Sequence, residues 1–126
     1  MSKIPTIARY LLGALFTMSA IAGLMGKVPP PEPEAAQVFM GALYGSGLLV
    51  IVKVMELIAG LALLSGFFVP LAQMVLAPFV VVIAWYHVAL DPAGAAVGIV
   101  LLVLWSATSW GYLESFRPIL ASKPAQ

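Results

Sequence analysis

Long apolar runs broken by short polar segments dominate the chain. Four such runs, at 7–25, 48–69, 71–90 and 95–112, are continuously apolar rather than alternating. A helix needs about 20 apolar residues to cross a hydrocarbon core, and each run is close to that length. Strands of a membrane barrel would alternate apolar and polar residues over about 10 positions, and these runs do not. The pattern predicts an all-α integral membrane four-helix bundle, with residues 1–126 forming one transmembrane domain.

The segments between the runs predict where helices stop. Gly26-Lys27-Val28-Pro29-Pro30-Pro31 closes the first run, because proline lacks the amide proton a helix requires. The polar loop continues through Glu32 and Glu34. Residues 35–46 are moderately apolar and predict a short helix at the membrane interface. Gly66 with Pro70, and Asp91-Pro92-Ala93-Gly94, predict tight turns. Residues 122–126 read as a short tail. The basic start and Ala20-Ile21-Ala22 also have the outline of a signal peptide. The apolar run continues past that triplet, which favours a membrane helix.

Composition removes several function classes. Hydrophobic residues make up 63% of the chain and charged residues 9%, against about 25% charged in a soluble domain. A net charge of +1 gives no reason to expect a nucleic-acid partner. The absence of cysteine excludes disulfides, iron–sulfur clusters and thiolate chemistry. One histidine cannot supply a bis-histidine haem, and no spacing fits a metal motif. No catalytic residue can be named from these motifs.

Basic residues set the expected orientation. Lys3, Arg9, Arg117 and Lys123 share the side of both termini, and Lys27 lies on the other. The positive-inside rule then predicts cytoplasmic termini. Arg9, Glu114 and Arg117 read as a surface ion-pair cluster tying the first and last spans together. Gly13, Gly23, Gly60 and Ala62 predict close approach between helices.

Two charges break the apolar pattern. Lys53 and Glu56 stand inside the second span at i, i+3, on one helix face. A charge at the bilayer centre costs about 2.5–3.5 kcal/mol, so intramembrane ionisable residues mark functional sites by default. The structural alternative is an internal ion pair that only fixes packing. In an up-and-down bundle His87, near the end of the third span, shares a leaflet with Lys53 and Glu56. Tyr86 flanks it, and Trp105 on the fourth span stands at about the depth of Glu56. The predicted ligand-binding set is therefore Glu56, Lys53, His87, Tyr86 and Trp105. The structural alternative for His87 is hydrogen bonding to headgroups or to the Asp91 turn.

The ordered set of motifs resembles the DoxX-like family of small four-helix membrane proteins. It comprises Arg9-Tyr-Leu-Leu-Gly13-Ala-Leu-Phe16 with Ser19, Gly23 and Lys27, and Ser46-Gly47 with Lys53-Val-Met-Glu56-Leu-Ile-Ala-Gly60. It continues through Ala77-Pro78-Phe79, His87 and Asp91-Pro92, and ends at Tyr112 and Phe116-Arg117-Pro118. The resemblance implies a multi-pass protein of the bacterial inner membrane. It also implies a link to quinone-coupled or other membrane oxidoreductase systems.

Three functions follow as expectations. The first is binding of a quinone or other lipophilic ligand in a pocket within the bundle, in service of an oxidoreductase partner protein. Redox chemistry would then belong to a quinone-linked complex rather than to a self-sufficient enzyme. The second is a small proton-coupled multidrug-type transporter working as a homo-oligomer, specifically a dimer. The third is a non-catalytic structural or assembly subunit.

Overall fold

A computed structural model describes residues 3–124. The elements are α1 (Ile4–Leu24), α2 (Glu34–Ser46), α3 (Leu48–Ser65), α4 (Val69–Ala89), a 3-10 turn (Pro92–Gly94), α5 (Ala95–Trp110) and α6 (Leu113–Phe116). Among the described residues there is no strand. The expected tail runs partly outside this range, at Ala125 and Gln126, as do Met1 and Ser2.

Each helix end has a local cause. Pro5 sits in the first turn of α1, where its missing amide proton leaves no bond unmade. The helix therefore starts before the predicted first span. Gly47, at φ 78°, ends α2 and begins α3 at a single residue. That left-handed conformation costs other L-residues about 1–2 kcal/mol. Gly66 caps α3 at φ 81° and donates its amide to the Ala62 carbonyl. Pro70 opens α4 much as Pro5 opens α1.

α1 runs antiparallel to α3. Arg9 meets Leu63, Gly13 meets Gly60 and Leu63, and Gly23 meets Lys53. α4 and α5 are antiparallel by the same reasoning, with Gln73 on Ser109, Ala84 on Gly98 and His87 on Gly94. Pro5 against Gly111 brings the start of α1 to the end of α5. With α3 also packed on α4, the four long helices form an up-and-down ring. The start of α1 and the end of α5 lie at one end of it.

Leu12, Phe16, Leu63, Leu76, Val80 and Leu101 belong to the core of this ring. The outside is also apolar. Ile58, Val81 and Val103 are each at least 60% exposed. In water such a surface would be unfavourable by roughly 25 cal/mol per Å²; in a bilayer it is the lipid contact. α1, α3, α4 and the segment Pro92–Trp110 are each long and apolar enough to cross a membrane. The chain is an all-α multi-pass membrane bundle.

Candidate functional site

The site begins with the close crossing of α1 and α3. A Cβ on Gly60 would lie 2.6 Å from Thr17 Oγ1 and 3.0 Å from the Thr17 backbone nitrogen. Nothing larger than hydrogen fits there, so the two backbones come together. Further along, Gly23 leaves room for the Lys53 stem, whose Cε would stand 2.7 Å from a Cβ at that position. Lys53 is thereby laid along α1. Its ammonium donates to Ser19 Oγ at 3.1 Å and to Glu56 Oε2 at 3.0 Å.

The ion pair is largely withdrawn from the surface. The Glu56 side chain is 2% exposed and that of Lys53 14%. A lone carboxylate in this position would be strongly disfavoured. The adjacent ammonium offsets that cost and leaves the pair with no net charge. Two of the three Lys53 N–H donors have partners here.

Lys53 and Glu56 line a chamber of about 760 Å³, partly open at its side, at the end of the bundle away from the start of α1 and the end of α5. Its walls are mainly apolar, among them Phe16, Leu49, Phe79, Ile83 and Leu101. Tyr86 and His87 reach it from α4, and Phe39 and Tyr44 from α2. The chamber thus joins Lys53, Glu56, Tyr86 and His87, four of the five residues predicted to bind ligand. The His87 ring lies edge-on to Tyr86, with centroids 5.0 Å apart. Its Nδ1 packs against Gly94, where a Cβ would stand 2.2 Å away. This nitrogen is buried without a hydrogen-bond partner, so the expected alternative of a bond to the Asp91 turn is not present at Nδ1.

Trp105 is not brought to the chamber. Its indole Nε1 donates to the Gln73 carbonyl at 2.9 Å, which turns the ring toward α4. Depth along the span placed Trp105 near Glu56, but rotation about the helix axis decides what a side chain meets. Trp105 belongs instead to a buried polar cluster. Gln73 Nε2 donates to the Trp105 carbonyl at 2.9 Å and to Ser109 Oγ at 2.7 Å. Gln73 is fully buried and fastens α4 to α5 near the terminal end. Sequence reasoning passed over it, although a single amide inside an apolar span was a readable signal.

Arg9 also departs from expectation. It does not join Glu114 and Arg117, which pair with each other at 3.3 Å on the exposed surface. Arg9 is 9% exposed and donates to the Leu63 carbonyl, with its guanidinium carbon 4.3 Å from the centre of the Tyr10 ring. The negative end of the α3 dipole and its unpaired carbonyls draw the cation inward.

The DoxX family model matches residues 4–89, which covers α1 to α4 and includes Lys53, Glu56, Tyr86 and His87. No curated protein and no solved structure matches the chain.

Proposed function

The chain belongs to the DoxX family, and from that premise we propose that it binds a neutral, lipophilic ring compound of the quinone type in the chamber beside Lys53 and Glu56. It would do so in the bacterial inner membrane, with both termini cytoplasmic, in service of a membrane oxidoreductase partner. The observation that carries this reading is an internally compensated ion pair in the wall of an apolar cavity of about 760 Å³. Small-ligand sites combine apolar walls with a few placed polar groups in this way. The volume is ample for a substituted ring and part of a tail.

The electrostatics select among ligands. Lys53 already neutralises Glu56, so a cationic guest would enter without a free counter-charge, and an anionic guest would displace Glu56 from its partner. A neutral molecule with hydrogen-bonding oxygens disturbs neither charge. The remaining Lys53 donor suits a ring carbonyl. Glu56 and His87 can hydrogen-bond such a head group. Aromatic side chains at Phe39, Phe79 and Tyr86 suit a flat ring. The same compensation weighs against a cation–proton exchanger, in which a lone carboxylate must be free to trade proton for substrate.

The test is titration of the purified protein in lipid nanodiscs with a decyl-substituted benzoquinone, followed by tryptophan quenching. Saturable binding that weakens at least tenfold in Glu56→Gln and Lys53→Met is expected. Equal binding by wild type and both variants would overturn the assignment.

A further inference from the structure

The chamber is partly open at the side of the bundle, where Leu15, Leu48, Val97 and Val100 on its rim are exposed, so what covers the rest of it governs exchange with the bilayer. α2 differs from every other part of the chamber wall. It has 13 residues and a length of about 20 Å, too short to span. Ala36 is its one buried residue. It packs chiefly on α3, yet it contributes Phe39, Met40, Leu43 and Tyr44 to the chamber.

The attachments of α2 are of two kinds. At one end Gly47 joins it to α3 at φ 78°, and a Cβ there would meet nothing within 4 Å. Glycine at this position therefore serves backbone conformation and not packing. At the other end the proline-rich segment 29–33 leads in from α1. Two of its polar side chains bond locally, Gln37 to the Glu32 carbonyl and Ser46 to the Leu43 carbonyl. Across the chamber α2 is held by aromatic contact. The Phe39 ring lies edge-on to Trp85 at 6.1 Å and tilted against Tyr86 at 5.6 Å. Such ring pairs contribute about 0.5–1.5 kcal/mol beyond the burial of the rings, and α2 buries fewer residues than any of the long helices.

We infer that α2 is a lid over part of the chamber, pivoting at Gly47 and latched by Phe39 on Trp85 and Tyr86, whose opening widens the side entry for a lipophilic guest from the bilayer. This rests on the chamber being a ligand site. The latch and the site are adjacent, since Tyr86 belongs to both and precedes His87. A guest that packs against Tyr86 and Phe39 from within strengthens the closed state, so occupancy and closure are coupled.

The absence of native cysteine makes the test direct. Val38 on α2 and Val88 on α4 are 68% and 67% exposed, and neither lines the chamber. Val38→Cys with Val88→Cys carries two spin labels, and the distance between them is measured by pulsed dipolar spectroscopy in nanodiscs. Without ligand, a short and a longer distance are expected, and saturating decyl-benzoquinone should leave the short one. Phe39→Ala should raise the longer population severalfold. Phe39→Leu, which keeps an apolar side chain, should do so to a lesser degree. A single distance unchanged by the quinone and by both variants overturns the lid, even where tryptophan quenching shows that the quinone binds. A shift in the variants alone, with no quinone bound, upholds the lid and counts against the quinone reading.

Discussion

Glu56 and Lys53 are the residues on which the account turns, and each depends on the other. Removing the ammonium leaves a carboxylate that is 2% exposed. Breaking one side of a buried pair typically costs about 3–5 kcal/mol, whereas replacing both partners by apolar groups is often neutral or stabilising. Lys53→Met should therefore lower the thermal unfolding midpoint in detergent. Lys53→Met with Glu56→Leu should restore it to near wild type while weakening quinone binding severalfold. That separation distinguishes a binding role from a packing role. Gly23 is the less obvious member of the set. Gly23→Ala places a methyl group on the Lys53 stem, so it should weaken quinone binding with a smaller effect on stability, because the flexible stem can move.

At the scale of the helices, the close α1–α3 contact and the end of α3 are the sensitive places. A Cβ at Gly60 meets the Thr17 backbone at 3.0 Å, and backbone cannot move aside without parting the helices. Gly60→Ala should destabilise by about 1–3 kcal/mol, as overpacking does, measurable as a lower unfolding midpoint. Arg9→Met removes the cation at the α3 C-terminus. An expected loss of up to ~2 kcal/mol follows from the partly buried geometry. Loss of protection at the α3 amides in hydrogen exchange would locate the effect. These elements also show what could be read in advance. The apolar runs and prolines marked the spans, because membrane helices need continuous apolar length. Antiparallel order then put Lys53, Glu56 and His87 at one level. Periodicity in a span that is apolar all round gives little rotational information, so depth alone could not tell that Trp105 turns toward Gln73 and away from the chamber. Arg9 looked like a surface anchor because its partner is a carbonyl, and a backbone oxygen leaves no mark in the sequence. Gln73 carries no charge and was lost among apolar neighbours.

For the whole molecule, the few charges fall at distinct places. Most occupy ends and loops, Arg9 is buried against the end of α3, and the Lys53–Glu56 pair lines a chamber formed by all the long helices and α2. The central claim is that this chamber holds a neutral lipophile of the quinone type. The most direct measurement is mass spectrometry of organic extracts from protein purified out of its native membrane, scaled to protein content. Wild type and the folded Lys53→Met, Glu56→Leu double variant are compared. The account predicts close to one quinone-type molecule per wild-type chain and several-fold less in the double variant. Equal amounts in both, or none in either, would contradict it.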